Sequence, residues 1–202
     1  SNTNGEEWAT TGITLQEREI NWMRCIYMEA AEAIDSLNWK HWKDIKKADD
    51  IANVKIELVD IWHFVMSEHI VKLGLNEAVL EAEKVYSDVE SLPENLFAVM
   101  GLIDYLEQII AESSNGELPL DAFFKAIRII EDFDMSDVYT LYIGKNCLNQ
   151  FRQDHGYKEG TYTKIWNGQE DNVTMQKALE DNPNLDFDGL YSELEKAYTT
   201  LS

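Results

Sequence analysis

Prolines, cysteines and basic residues are all scarce in these 202 residues: three Pro, two Cys, and 17 Lys and Arg against 38 Asp and Glu. So few prolines leave long stretches of backbone with every N–H free for helical hydrogen bonding. The cysteines, Cys25 and Cys147, lie inside apolar helical patterns without CxxC spacing. That argues against a disulfide framework or a cysteine zinc site and fits reduced, packed thiols in a cytoplasm-like compartment. No apolar run is long either. The longest nearly uncharged one, Leu96 to Ile103, falls far short of the roughly 20 residues that span a bilayer. A soluble, cytoplasmic protein is expected. The deficit of basic residues gives a formal charge of −21, which repels nucleic acids and anionic membranes. A small anionic substrate fits only where cations or a local basic cluster reverse that field.

What is present is apolar mass: 45% hydrophobic residues, 11% aromatics and six Trp. This is enough to offset chain entropy in a single domain over 1–202, or in a core with a smaller, mobile helical lobe. Apolar residues recur at three and four rather than at two, so the fold class is all-α, a multi-helix bundle with strands minor or absent. The pattern predicts helices near 17–36, 49–73, 75–91, 94–112, 119–132, 135–153, 169–180 and 186–200. Asp49-Asp50, Pro93 and the run Ser113-Ser114-Asn115-Gly116 act as punctuation. From Asp154 to Asn172 the periodicity stops, leaving a long structured loop of the kind that often carries function.

Two carboxylate pairs stand out. At 100° per residue, Glu29 and Glu32 sit about 60° apart at the edge of the first helix's apolar arc. The second helix, IANVKIELVDIWHFVM, is apolar almost all round. Lys55 and His63 interrupt it outside one narrow strip, which holds Asn53, Glu57, Asp60 and Phe64. Such a helix is expected to be buried, and Glu57 and Asp60 with it. Adjacent buried carboxylates repel, so they need cations or protons. With Arg and Lys scarce nearby, Mg²⁺ or Mn²⁺ held by Glu29, Glu32, Glu57 and Asp60 is the economical answer. A lone ExxE is usually a solvated helix face; an ExxD within ELVDIWHF is less ordinary. His63, one turn beyond Asp60, is open to three roles: ligand, contact to a base, or packed core histidine.

The local field reversal lies further on. Lys145, Arg152, Lys158 and Lys164 fall within 20 residues. Lys145, Asn149 and Arg152 are spaced by four and three, hence share a helix face where arginine can grip phosphate oxygens bidentately. Tyr157 and Tyr162 offer hydroxyls or stacking surfaces. Trp39 and Trp42, in NWKHWK, are either core or a platform for a base.

Taken together, the blocks RCIYMEAAEAIDSLNWKHWK, IELVDIWHF and YIGKNCLNQFRQDHGYKEGTYTKIWNGQEDN resemble the dimeric all-α dUTPases of the MazG-like nucleotide pyrophosphohydrolase superfamily. The resemblance implies a homodimer that hydrolyses dUTP, and dUDP as well, to dUMP, with pyrophosphate released from dUTP. Mg²⁺ would be bound by Glu29, Glu32, Glu57 and Asp60. Glu32, with Glu29 beside it, is the candidate catalytic carboxylate that orients or deprotonates the attacking water. By matching position, Lys145, Asn149, Arg152, Tyr157, Lys164 and Asn167 are implied as phosphate or sugar contacts, and His63 and Trp42 as parts of the nucleoside pocket. The family carries a short helix ahead of the residues matching Asn4-Gly5, with a Gln and an Asn that read the uracil amide edge. The sequence in hand starts at Ser1, and the strictness of uracil selection stays open.

Three rivals frame that expectation. A broader pyrophosphohydrolase would act on another pyrimidine or a damaged nucleotide. A ferritin-like di-iron oxidase needs Glu-x-x-His motifs on two helices, and only Asp60-x-x-His63 resembles one. A helical interaction protein would leave the acids solvated.

Overall fold

A computed structural model describes residues 12–14, 17–42, 48–93, 100–183 and 185–200. Eight helices and one two-stranded ribbon are found among them: α1 Trp22–Asp35, α2 Ile51–Leu73, α3 Leu75–Glu90, α4 Leu102–Ser114, α5 Leu120–Arg128, α6 Met135–Asp154, β1 Ile165–Trp166, β2 Gln169–Glu170, α7 Asp171–Asp181 and α8 Phe187–Thr199. The all-α expectation holds. None of these helices is long and apolar enough to cross a membrane. The chain divides into two compact units, Ser1–Met135 and Ser136–Ser202.

In the first unit α1 packs on α2 and α4, while α3 and α4 each pack on α5. Trp22, Ile26, Ala30 and Ala33 form the buried stripe of α1, at the spacing of an amphipathic helix. On α2, Val54, Ile56, Leu58, Val59, Ile61 and Val65 are all buried, as its near-continuous apolar surface predicts. Trp62 stacks on Phe123 at 5.1 Å between centroids, joining α2 to α5. Lys55, which interrupts the apolar surface in sequence, holds its ammonium over the Phe133 ring at 4.9 Å and donates to the Asp132 carbonyl at 3.5 Å. The cation is thereby satisfied while its stem packs.

Helix α1 starts at Trp22, later than periodicity predicts. The described residues ahead of it instead pair with one another: Ile13 bridges Glu19 antiparallel, the Ile20 N–H donates to the Gly12 carbonyl at 2.7 Å, and Glu17 has φ 57°. Asn21 then caps the helix by accepting from the Arg24 N–H at 2.8 Å. Asp50 caps α2 in the same way through Asn53 at 3.1 Å. One residue, Gly74, ends α2 and begins α3 with φ 79° and ψ 160°, a conformation closed to residues with a Cβ. Helix α4 follows Gly101; positions 94–99 of the predicted fourth helix, like Asn4 and Gly5, lie outside the described residues.

The second unit is built around α6. A Cβ at Gly144 would lie 2.8 Å from Leu179 and 3.0 Å from Met175, so α6 meets α7 there at backbone range. Where no periodicity is legible, residues 165–170 fold into a ribbon that pairs Ile165 with Glu170 and Trp166 with Gln169. Its turn is Asn167-Gly168, at φ 50° and 85°, the Asn-Gly signature of a tight hairpin.

Candidate functional site

Helix α1 carries Glu29 on the border of its buried stripe, and α2 carries Glu57 and Asp60 one turn apart. A carboxylate oxygen of each of the three lies within 4.8 Å of the other two. Glu57 is buried; Glu29 and Asp60 are half-buried. Glu57 is aimed by Asn53, whose amide donates to Glu57 Oε1 at 3.0 Å and to Ser36 Oγ at 2.8 Å. The Ser36 hydroxyl in turn donates to the Glu32 carbonyl at 3.1 Å, so one polar chain ties α2 to the end of α1. Asn53 shares the strip with Glu57 and Asp60 in sequence, but only the fold reveals its partners.

Electrostatics follow from this crowding. Burial first, and then the charges of Asp60, Glu57 and Glu32 with a hydrogen bond that the protonated Glu29 carboxyl donates to Glu57, push the Glu29 carboxyl up to about 8. The fit to a hard divalent cation rests on that donor set: three carboxylates that cannot all ionise together without positive charge between them. Glu32 is exposed on α1, next to this group but not within it.

A stability test follows. Between the ordinary carboxyl value of 4.5 and about 8, the folded protein holds a proton on Glu29 that the unfolded chain has released. Stability of the metal-free protein therefore falls as pH rises through that window. Glu29→Gln keeps the shape without the charge. In a chelator it is expected to melt several degrees above wild type at pH 8 and level with it near pH 5, read by thermal denaturation. Equal melting temperatures at pH 8 would mean that the carboxylates do not strain one another.

Two further sequence candidates belong to this unit. His63 is half-buried and meets Phe64 edge-on at 5.4 Å. Trp42 is 62% exposed, set edge-on against Trp39 at 5.4 Å and His41 at 4.9 Å. It is an exposed ring rather than a core residue.

In the second unit Lys145, Asn149 and Arg152 do share one stretch of α6, with Lys145 buried and Asn149 exposed. The Lys164 ammonium sits over the exposed Tyr157 ring at 5.6 Å, and Asn167 is exposed in the ribbon turn. Arg152 is held in a bidentate pair by Asp171, at 2.8 Å through Nε and 2.7 Å through Nη2. Burial would raise the Asp171 carboxyl, but the hydrogen bonds and charge of Arg152 outweigh it and hold the group below its ordinary value. The Tyr162 hydroxyl, whose own ionisation is pushed far up by burial and then by Asp171, donates to the same carboxylate at 2.7 Å. Asp171 was not among the candidates read from sequence.

A sequence model of the dUTPase family matches residues 5–157, spanning α1 to α6 and both carboxylate words. The chain belongs to the all-α dUTPase family. No curated protein matches it. As a dUTPase it is an enzyme, a dUTP diphosphatase, and a nucleotide is its substrate. The dUTPase match stops at Tyr157, so Lys164, Asn167 and Asp171 lie beyond the matched residues.

Proposed function

We propose that the chain hydrolyses dUTP to dUMP with release of pyrophosphate, accepts dUDP as well, and depends on Mg²⁺, with Mn²⁺ as a substitute. The observation that carries the metal dependence is the group Glu29, Glu57 and Asp60, three carboxylates within 4.8 Å on two packed helices. These residues would hold the cation, with Glu32 beside them. A divalent ion there supplies charge neutralisation for phosphate oxygens and a lowered pKa for bound water.

The chain's own residues do the rest in this reading. Glu32, exposed on α1 beside the three buried or half-buried acids, accepts the proton of the attacking water. Asn53 keeps Glu57 aimed through its hydrogen bond. Lys145, Asn149, Arg152, Tyr157, Lys164 and Asn167 bind phosphate or sugar, supported by their clustering within the second unit. Trp42 offers its exposed ring to the base, and His63 contributes to the nucleoside pocket. Residues 1–202 act as one catalytic domain, in a reducing cytoplasm where Cys25 and Cys147 stay free thiols. A homodimer is supported by the apolar side chains that α3 leaves exposed, Leu75, Val79 and Leu80.

The deciding assay follows pyrophosphate released from dUTP, dCTP, dTTP and UTP, each with Mg²⁺, with Mn²⁺ or with a chelator. Turnover confined to dUTP and lost in the chelator is expected. Release from all four would make the enzyme a less selective pyrophosphohydrolase, and orthophosphate in place of pyrophosphate would sink the assigned products.

A further inference from the structure

Asp171, the first residue of α7, has no part in the reading above, yet it is fully buried at 0% exposure. A carboxylate so placed must be fully partnered, and it is. Oδ1 accepts from Arg152 Nη2 at 2.7 Å and from the Asn172 N–H at 2.9 Å; Oδ2 accepts from Arg152 Nε at 2.8 Å and from the Tyr162 hydroxyl at 2.7 Å. One edge of the guanidinium is thus fully committed to Asp171.

The remaining nitrogen, Nη1, donates to Asn149 Oδ1 at 3.3 Å. That contact fixes which way the Asn149 amide faces: its oxygen turns toward Arg152, which leaves its NH₂ as the outward donor. A polar chain therefore runs from a fully buried acid, through a guanidinium whose side chain is 11% exposed, to an exposed amide. A buried ion pair is weak evidence for stability, since packed apolar residues serve a core as well. A pair that ends in a surface donor has another use, since it presets donors that would otherwise be ordered only when substrate arrives.

We propose that Asp171 is a positioning residue for phosphate binding: it locks Arg152, and through Arg152 the Asn149 amide, into the orientation that receives the substrate's phosphates. This rests on the reading of Arg152 and Asn149 as phosphate contacts. Tyr162 belongs to the same lock, because its hydroxyl shares Oδ2 with Arg152 Nε.

The test measures calorimetric binding of the non-hydrolysable α,β-imido analogue of dUTP, with Mg²⁺, and of phosphate-free deoxyuridine. The variants are Asp171→Asn, Arg152→Gln, the neutral double variant of both, and Tyr162→Phe, which removes one hydrogen bond and leaves the ion pair. Asp171→Asn and Arg152→Gln are each expected to weaken the analogue about tenfold, as for loss of a charge-assisted hydrogen bond. Tyr162→Phe should lose less, deoxyuridine should be unaffected throughout, and the double variant should bind no worse than Arg152→Gln alone.

Wild-type binding by Asp171→Asn and Tyr162→Phe beside a weakened Arg152→Gln would overturn the proposal and leave the phosphate role of Arg152 standing. Losses that multiply in the double variant would also overturn it, since Asp171 would then act independently of Arg152. Wild-type binding by Arg152→Gln would remove the reading of Arg152 and the positioning role together. Should Asp171→Asn fail to fold, Tyr162→Phe and Arg152→Gln decide by the same comparison.

Discussion

Glu57→Gln is expected to lower kcat/KM for dUTP about 10³-fold, corresponding to the several kcal/mol that a correctly held metal supplies to a phosphoryl transition state. The amide keeps an oxygen where Asn53 donates at 3.0 Å, so the polar chain from α2 to Ser36 survives and the fold is spared. What is lost is one of three crowded carboxylates within 4.8 Å. The metal-free variant should therefore be at least as stable as wild type, and the rise in melting temperature expected of wild type on adding Mg²⁺ should be absent from it. Activity near wild type with an intact magnesium-induced rise would place the metal elsewhere.

Phe151→Ala is the substitution with the largest expected effect on the fold. Phe151 is fully buried and lies at the centre of the second unit's rings: His155 stacks on it at 3.9 Å, and Tyr191, Tyr198 and Trp166 meet it at 5.2, 5.5 and 5.6 Å. These rings come from the end of α6, from β1 and from α8. Removing the phenyl group leaves a cavity that rigid aromatic neighbours cannot close, at a cost of about 3–5 kcal/mol. A fall in melting temperature on the order of 10 °C is expected by calorimetry or circular dichroism. A fall of a degree or two would mean that the ribbon and α8 are held by their polar contacts instead.

How much of this was legible in sequence depended on whether the signal was local. Helix α2 was plain because a circumference of Ile, Val, Leu and Trp admits only a buried helix, and the acids in its one polar strip had to be special. Apolar periodicity extends α1 back to residue 17, since the Asn21 cap and the positive φ at Glu17 leave no mark on it. Glu29 and Glu32 were equivalent on a helical wheel, both at the edge of the arc. Which of them turns inward depends on where α2 packs, and the fold brings Glu29 to Glu57 and Asp60 while Glu32 stays exposed. Asp171 could not be found at all. An acid in the first turn of a helix is ordinary, favoured by the helix dipole alone, and its partner Arg152 lies beyond a loop with no period to follow.

That same clasp bears on how the enzyme can change. Arg152 and Asp171 stand at the two ends of the segment that links α6 to α7, and their bond fixes the separation of those ends whatever lies between. Once its ends are pinned, a connecting segment can lengthen cheaply, each doubling adding only about 0.6 kcal/mol of closure entropy. Insertions and exchanges at the exposed residues Lys158 and Glu159 can therefore be sampled without disturbing the helices on either side, provided Tyr162 and Trp166 keep their partners. This is the part of the molecule where new substrate preferences can arise at least cost to folding.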